Sequence, residues 1–308
     1  MSDAPAFRSG FACVVGRPNV GKSTLTNALV GSKVAITSTR PQTTRHVVRG
    51  VVHRPDAQLV LLDTPGLHRP RTLLGERLND LVRTTWSEVD VVACCLPANE
   101  RIGPGDRFLV GELARIRRTP AIAVATKTDL VGSGRLAEHL AQVAELGEAS
   151  GREWDEVVPV SATTADQVDL LRDLLIARLP TGPPLYPEGE LTDAPEEQLV
   201  AELVREAALD ELRDELPHSV AVVVEEMGPR PDRPEDRPLV DVRAELFVER
   251  PSQKGIVIGA GGTRLRQIGS RARDQIERLL GTPVYLDLHV KVAKDWQRDP
   301  RKLRRLGF

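Results

Sequence analysis

The chain has 308 residues, enough for two domains, and 41% of them are hydrophobic, as in ordinary globular proteins. No apolar run approaches the ~20 residues of a membrane span, and the opening residues MSDAPAFRSG lack the apolar stretch of a secretory signal. We therefore expect a cytoplasmic protein. Its cysteines, Cys13, Cys94 and Cys95, lie in apolar segments and are expected to be buried thiols in a reducing compartment.

The formal net charge of −2 conceals an asymmetry along the chain. Residues 187–217 carry eleven Asp or Glu against two Lys or Arg, whereas residues 250–308 carry fourteen Lys or Arg against five Asp or Glu. A basic segment on a near-neutral protein is typical of polyanion binding, although a solvated surface has the same composition. The C-terminal part is therefore a candidate nucleic-acid interface.

Short apolar runs alternate with amphipathic, helix-like segments from residue 11 to about residue 180. This alternation predicts an α/β fold, in which a doubly wound and mostly parallel sheet has helices on both faces. The predicted strands are residues 11–15, 46–52, 58–63, 90–96, 121–126 and 156–161.

A change of composition marks the predicted boundary between two domains. Residues 181–190, TGPPLYPEGE, contain three Pro and two Gly, which is typical of a linker. We predict a first domain over residues 1–182, a linker over 183–194 and a second, α+β domain over 195–308. In the second domain, the expected order is an acidic helix (195–216), two strands (219–226 and 239–249), two helices around a glycine turn, and a last strand (284–292).

A phosphate-binding pattern lies between the first predicted strand and a predicted helix. Residues 16–23, GRPNVGKS, match G-x-x-x-x-G-K-[ST]. Backbone N–H groups of such a loop cradle phosphates, the Lys reaches the β- and γ-phosphates, and the Ser hydroxyl binds Mg²⁺. The candidate nucleotide-binding residues of this loop are Gly16, Asn19, Val20, Gly21, Lys22, Ser23 and Thr24.

A second motif, DTPG, ends a buried apolar strand about 40 residues later. In a metal-side site, Asp63 would hold Mg²⁺ through water and the Gly66 N–H would face a γ-phosphate, whereas a tight turn is the alternative. Such a site also needs a Thr from a mobile segment, and PQTTRH offers Thr44, with Thr43 as the alternate. The predicted metal ligands are Ser23, Thr44 and Asp63, and the predicted catalytic residues are Lys22, Thr44, Asp63 and Gly66.

The segment ATKTDL, which ends another predicted strand, carries a candidate reader of the base. A carboxylate two residues beyond a Lys can accept from both the ring N–H and the exocyclic amine of guanine, donors that adenine lacks at that edge. Asp129 is therefore the predicted guanine reader, with Lys127 along the ring face, and an ATPase is the competing interpretation. At the end of the last strand, VSA places the Ala162 N–H towards the guanine oxygen. The other predicted base-side residues are Thr126 and Ser161.

In combination, these motifs resemble those of the Era family of bacterial GTPases. GRPNVGKS, QTTRH, DTPG, TKTD and VSA follow the family's order, and the resemblance extends over residues 8–308. It implies a P-loop GTPase domain, converting GTP to GDP and phosphate, followed by a type II KH domain that binds the 3′ end of 16S ribosomal RNA in assembly of the 30S subunit. The family usually has Asn at position 126, and the Thr126 hydroxyl can make only one of that residue's contacts.

A glycine cluster lies within the segment GIVIGAGGTRLRQIG at residues 255–269. A dinucleotide fingerprint would need a sixth-position glycine where Arg264 stands. A KH module fits better, because its G-x-x-G loop joins two helices and clamps the backbone of about four nucleotides. The predicted RNA-binding loop is Gly259, Ala260, Gly261 and Gly262. The related family usually has Lys where this chain has Ala260, and Arg264 and Arg266 could supply the missing charge.

Further RNA contacts are predicted outside this loop. Lys254 lies in the short helix before it, and the ending KDWQRDPRKLRRLGF is basic with one Trp. The ending has two interpretations, a helix that caps the domain or, by resemblance, a tail that holds RNA, so Trp296 and Arg301 keep both roles. Ile256 is expected to be a core residue, and Tyr285 is expected to pack rather than to stack on a base.

The predicted cofactor is Mg²⁺. Relatives with Asn in the phosphate loop that are stimulated by potassium imply K⁺ as a second cofactor, with Asn19 as its ligand and as a further catalytic residue. Leu67 stands where Ras-type enzymes carry the Gln that orients the attacking water, so we expect slow basal turnover.

The predicted partners are GTP and GDP, the 3′ end of 16S rRNA and the 30S subunit, with peripheral contact at the inner face of the cell membrane as a further expectation. The alternative function is a signalling GTPase at the membrane surface that uses the basic tail to bind anionic lipid. The tail lacks the broad apolar face with Trp, Phe or Leu that such segments carry. A third hypothesis is a regulator that binds messenger RNA and hydrolyses little GTP.

Overall fold

The computed structural model describes residues 6–38, 43–67, 72–116, 118–212, 219–231, 233–234 and 237–307. The chain forms two compact units, and the main division lies between Asp193 and Ala194. In the described parts of the chain, no helix combines the length and the apolar character that a membrane crossing requires.

The first unit is a six-stranded sheet with the strand order β2-β3-β1-β4-β5-β6. Strand β2 runs antiparallel to β3, and every other neighbouring pair is parallel. All six predicted strands are present, and β2 begins two residues later than predicted. The elements are β1 (Arg8–Gly16), α1 (Lys22–Val30), β2 (Val48–Arg54), β3 (Ala57–Asp63), α2 (Leu73–Ser87), β4 (Val91–Pro97), α3 (Pro104–Leu113), β5 (Ala121–Thr126), α4 (Ser133–Ser150), β6 (Glu156–Pro159) and α5 (Val168–Ile176).

Strands β3, β4 and β5 are buried along their whole length. Strands covered by helices on both faces are apolar throughout, and successive side chains point to opposite faces. In β4, for example, Cys95 packs with Leu25 of α1, whereas Cys94 packs with Trp86 of α2. Burial raises the pKa of the Cys95 thiol to about 12, so the buried cysteines are inert, as predicted.

The topology brings the predicted nucleotide motifs to one edge of the sheet. The phosphate loop, DTPG, TKTD and VSA each follow the carboxyl end of a strand in the parallel part, and these ends share one edge. Val14, just before the phosphate loop, pairs with Asp63, and Pro97 pairs with Thr126. Strands β3 and β4 lie on opposite sides of β1, so the order in which strands are added to the sheet reverses at β1. Such a reversal opens a crevice at the carboxyl edge of the sheet.

The Pro-rich segment of residues 181–193 is held along the first unit. Thr181 forms a bridge with Arg8, and the Val51 N–H donates to the Leu191 carbonyl (2.8 Å). Most of the predicted linker is therefore hydrogen-bonded to β1, β2 and β3. We call residues 181–193 the strap.

The second unit has the predicted order αββααβ, followed by one short helix. Its elements are α6 (Glu196–Glu211), β7 (Ala221–Pro229), β8 (Val240–Val248), α7 (Pro251–Ile258), α8 (Thr263–Leu280), β9 (Val284–Val292) and α9 (Pro300–Arg305). The sheet order is β7-β8-β9, with β7 antiparallel and β9 parallel to β8. The last residues of the predicted acidic helix, 213–218, lie outside the described residues.

The core of the second unit follows helical and strand periodicity. Ile268, Ala272 and Ile276 recur every four residues of α8 and are fully buried. Val242 and Leu246 lie on one face of β8 and are buried to the same degree. The arginines of α8 lie away from this stripe, which leaves a basic surface beside the glycine turn.

Candidate nucleotide and nucleic-acid sites

The phosphate loop begins at the end of β1 and closes on α1. Gly21 has φ 99°, in the left-handed region that favours glycine. The Lys22 side chain is buried, and its Nζ donates to the carbonyls of Gly16 (3.2 Å) and Arg17 (3.0 Å). Burial lowers the pKa of Lys22, and the nearby Asp63 opposes that shift. The loop therefore presents a fixed ammonium group and the N-terminus of α1 at one place, an arrangement suited to phosphate.

The three predicted metal ligands form one hydrogen-bonded cluster. Ser23 Oγ donates to Asp63 Oδ2 (2.6 Å), and Thr44 Oγ1 donates to the same oxygen (3.2 Å). The two hydroxyl oxygens are 3.0 Å apart. Thr44 is buried in this cluster, whereas Thr43 is half-buried, so the geometry favours Thr44 of the two candidates.

Asp63 is fully buried, and its Oδ1 has no hydrogen-bond partner among the described residues. Burial raises the pKa of this carboxyl, although Lys22, Ser23 and Thr44 act in the opposite direction. A buried polar atom without a partner costs free energy unless an ion or water satisfies it. Mg²⁺ prefers carboxylate and hydroxyl oxygens with water in its remaining positions, so this donor set fits Mg²⁺.

The DTPG segment lies directly against the phosphate loop. A Cβ added to Gly66 would lie 2.8 Å from the Pro18 nitrogen, so the close approach requires a glycine. The next residue, Leu67, is buried in the apolar core of the unit. Its side chain has no hydrogen-bonding atom with which to hold a water molecule.

The base-side residues are tied to one another and to the phosphate loop. Asp129 Oδ1 accepts from Ser161 Oγ (2.7 Å), which orients the carboxylate. Lys127 Nζ donates to the Asn19 carbonyl (2.7 Å), and Thr126 Oγ1 donates to the Val20 carbonyl (2.7 Å). Thr126 thus makes a contact that joins β5 to the phosphate loop. Ala162 is partly buried against the core.

The glycine turn joins α7 to α8 as the sequence predicts. Gly259, Gly261 and Gly262 all have φ between 56° and 76°. A Cβ on Gly259 would lie 2.9 Å from Cβ of Arg264, whereas a Cβ on Gly261 would meet nothing within 4 Å. Gly259 is thus needed for packing, and Gly261 and the exposed Ala260 face open space.

The predicted basic contacts surround this turn. Arg266 is exposed, and Lys254 is half-buried in α7. Arg264 donates to the Ile256 carbonyl (2.5 Å), so its guanidinium lies over the end of α7. Arg301 is exposed at the start of α9.

Two sequence-based interpretations in this unit are wrong. Trp296 is fully buried and its indole N–H donates to the Ser219 carbonyl (3.0 Å), so it cannot offer a face to RNA and instead caps the unit. Ile256 is 46% exposed, because the neighbouring Val257 takes the core position of α7. Tyr285 is also exposed, and the Arg230 guanidinium lies 4.9 Å from its ring centroid.

The fold and the two sites together define a P-loop GTPase joined to a KH module. Residues 11–127 match the family described as 50S ribosome-binding GTPase, and residues 215–297 match the KH domain. The chain is 72% identical over 304 residues to GTPase Era of Nocardioides sp. (99% of this chain, 97% of that one). It is 70% identical over 310 residues to GTPase Era of Streptomyces coelicolor (100% and 98%). The chain therefore belongs to the Era family of GTPases.

Two solved structures share the whole fold. Era of Aquifex aeolicus, as a variant bound to GDP·AlF4⁻, superposes with a TM-score of 0.92 at 36% identity and covers 98% of this chain and 99% of its own. Era in complex with MgGDPNP and nucleotides 1506–1542 of 16S ribosomal RNA gives the same score at 37% identity and the same coverage. The predicted fold class is confirmed.

Proposed function

We propose that this chain is a GTP-hydrolysing switch that binds the 3′ end of 16S ribosomal RNA and acts in assembly of the 30S subunit. The observation that carries the proposal is the presence, on one chain, of a guanine-type nucleotide site and a G-x-x-G turn with basic neighbours. The relative solved with MgGDPNP and a 16S rRNA segment supports both halves. In this proposal, the nucleotide is held by residues 1–182 and RNA is bound by residues 195–308. Residues 183–194 link the two domains.

In the nucleotide site, different residues contact the phosphates and the base. Lys22 and the N–H groups of the phosphate loop neutralise the phosphate oxygens, and the Gly66 N–H faces the γ-phosphate. Asp129, held by Ser161, accepts two hydrogen bonds from guanine and so excludes adenine. Because Leu67 cannot orient water, turnover is slow until something else positions the nucleophile.

The proposed metal ligands are Ser23, Thr44 and Asp63, the cluster that fits Mg²⁺. When bound, Mg²⁺ supplies positive charge that stabilises the β- and γ-phosphate oxygens. The residues themselves orient each other through Asp63 Oδ2, and burial keeps bulk water from the carboxylate.

K⁺ is proposed as a second cofactor at Asn19, an exposed residue with φ 65° in the phosphate loop. A cation there would supply charge near the β- and γ-phosphates, a role for which the sequence offers no clear arginine. GTP turnover should then be faster in K⁺ than in Na⁺ at equal ionic strength, and Asn19→Ala should remove the difference. Equal rates in both salts would exclude this role.

The RNA half uses the turn from Gly259 to Gly262, with charge from Arg264, Arg266, Lys254 and Arg301. Small residues let an RNA backbone approach closely, and single-strand recognition by KH modules depends on this approach. The proposed location is the cytoplasm. The competing proposal is that the same basic surface makes peripheral contact with anionic lipid at the inner face of the cell membrane.

The experiment that tests the function measures binding of a fluorescent RNA with the sequence of the 16S 3′ end, beside an RNA of scrambled sequence, with GTP analogue or GDP. Co-sedimentation with 30S subunits and with anionic vesicles completes the set. Preference for the 3′-end RNA and for 30S supports the proposal. Binding to vesicles but to neither RNA would favour the membrane function, and equal binding to both RNAs would overturn the ribosomal assignment.

A further inference from the structure

A network of ion pairs joins the phosphate loop to the base-binding motif on the side of α3. Arg17, inside the phosphate loop, donates from Nε to Asp106 Oδ1 (2.6 Å) and from a terminal nitrogen to Glu100 Oε2 (3.0 Å). The other oxygen of Glu100 lies 3.9 Å from Lys127 Nζ. One carboxylate thus contacts a cation from each of the two nucleotide-binding loops.

Neighbouring groups fix both Arg17 and the loop that carries Glu100. Asp106 is buried and its Oδ2 accepts from the Gly103 N–H (2.8 Å), so it anchors Arg17 to the start of α3. The loop that carries Glu100 is fixed by the bond from the Ala98 N–H to the Thr126 carbonyl (2.8 Å).

Each partner of Glu100 has a second contact within the nucleotide site. Lys127 Nζ donates to the Asn19 carbonyl (2.7 Å) in the phosphate loop. The carbonyl of Arg17 accepts from Lys22 Nζ (3.0 Å). A shift of either cation would therefore move groups on which phosphate and base depend.

We propose that Glu100 is a positioning residue that links the base-binding loop to the phosphate loop and thereby slows the release of guanine nucleotide. It touches neither phosphate nor base in this proposal and acts through Arg17 and Lys127. The inference rests on the proposed assignment of Lys127 and the phosphate loop to the nucleotide.

The size of the expected effect follows from exposure. The side chain of Glu100 is 43% exposed, and those of Arg17 and Lys127 are 26% and 28% exposed. Partly exposed ion pairs contribute modestly, so removing both should accelerate release about three- to tenfold rather than abolish binding. Because such pairs are screened by salt, the acceleration should shrink as ionic strength rises.

The test is stopped-flow release of a fluorescent GDP from the full-length wild type, Glu100→Gln, Arg17→Gln, Lys127→Ala and the double variant Glu100→Gln with Arg17→Gln, with thermal unfolding of the nucleotide-free proteins alongside. Glu156→Gln is the matched control, since Glu156 is 47% exposed and pairs with one arginine, Arg178, away from the site. Release should be faster in Glu100→Gln, with an unfolding midpoint like that of the control. The double variant should accelerate release by less than the product of the two single effects, because the Arg17–Glu100 pair is lost in each of the three variants.

The outcomes distinguish a failure of the Glu100 inference from a failure of the proposed nucleotide site. If Lys127→Ala accelerates release but Glu100→Gln releases GDP at the rate of the Glu156→Gln control, Glu100 has no positioning role. If Lys127→Ala leaves the release rate unchanged, the assignment of Lys127 to the nucleotide site is wrong, and the inference about Glu100 falls with it. Faster release in Glu100→Gln that is accompanied by a lower unfolding midpoint and is insensitive to salt would show a structural role instead, and would also overturn the inference.

Discussion

The Asp129 carboxylate is held by one short hydrogen bond from Ser161 Oγ (2.7 Å). A carboxylate oriented in this way can accept from two donors of guanine, whereas an amide presents one donor and one acceptor. Asp129→Asn should therefore weaken GTP binding by about 2–5 kcal/mol and improve binding of xanthosine triphosphate. Competition titration with the two nucleotides measures both effects. Unchanged GTP affinity in the variant would show that another group reads the base.

We expect the buried Asp63 carboxyl to make the stability of the nucleotide-free protein depend on pH. Burial raises the pKa of its carboxyl in the folded state, so the folded protein binds a proton more readily than the unfolded chain. The stability contributed by that proton is present at low pH and is lost as pH rises through the folded pKa. In the wild type, we expect the free energy of unfolding to fall as pH rises from the ordinary Asp pKa through the raised pKa of the folded state.

In Asp63→Asn, this component of the pH dependence should be absent, because the amide does not titrate. Urea unfolding without nucleotide, at several pH values on both sides of the ordinary Asp range, measures the slope. Identical slopes in the two proteins would mean that the buried carboxyl is not the titrating group.

At the scale of elements, one buried side chain makes three of the hydrogen bonds that hold the strap. Gln58 of β3 is buried, and its Oε1 accepts from the N–H groups of Leu185 (2.6 Å) and Tyr186 (2.9 Å). Its Nε2 donates to the Tyr186 carbonyl (2.9 Å). A Pro-rich segment that forms few backbone bonds of its own is thus fixed by an amide that satisfies three of its groups.

Gln58→Leu keeps the volume but leaves those three backbone groups without that partner. Each unsatisfied buried group costs about 1–3 kcal/mol, reduced where water can reach it, so a total destabilisation of roughly 2–4 kcal/mol is expected. Proteolysis should then cut within residues 181–193 before the rest of the unit. Thermal unfolding and limited proteolysis test this, with Gln142→Leu, at an exposed position within α4, as a surface control. A variant as stable and as resistant as the wild type would show that the strap is held by its other contacts.

The elements also show what the sequence can predict. The phosphate loop, DTPG and the G-x-x-G turn were predictable because their residue types and spacing follow from local backbone geometry between a strand and a helix or between two helices. The bonds of Arg17 to Asp106 and Glu100 join residues 89 and 83 positions apart, and no spacing rule links them. They become visible only when the sheet order places the end of β4 beside β1.

The errors have an equally local cause. Helix α7 has eight residues and only Val257 is buried, so its apolar run has too little periodicity to show which side chain faces the core. Trp296 follows β9 in a basic segment, and composition favours a surface position there. The Ser219 carbonyl that binds its indole is 77 residues away in sequence.

At the scale of the whole molecule, the nucleotide motifs and the glycine turn belong to separate compact units. A substitution in the turn should consequently impair RNA binding and leave nucleotide binding intact. Gly261 suits this test, because its φ of 56° is a region that Asp tolerates better than most residues, and a Cβ there meets nothing within 4 Å. Gly281, with φ 65° and equally open surroundings at the end of α8, is a matched control.

Gly261→Asp should place a carboxylate where an RNA backbone approaches and repel its phosphates. Affinity for the 16S 3′-end RNA should fall below detection, and GDP affinity should equal that of the wild type. In a salt titration, the wild-type slope should exceed that of Arg266→Ala by about 0.7 for each single-strand phosphate that the variant no longer neutralises. Gly281→Asp should retain the wild-type RNA affinity and slope, because its carboxylate lies at the far end of α8. Wild-type RNA affinity in Gly261→Asp would mean that the glycines serve only to turn the chain between two helices, and the basic surface around α8 would then need another ligand.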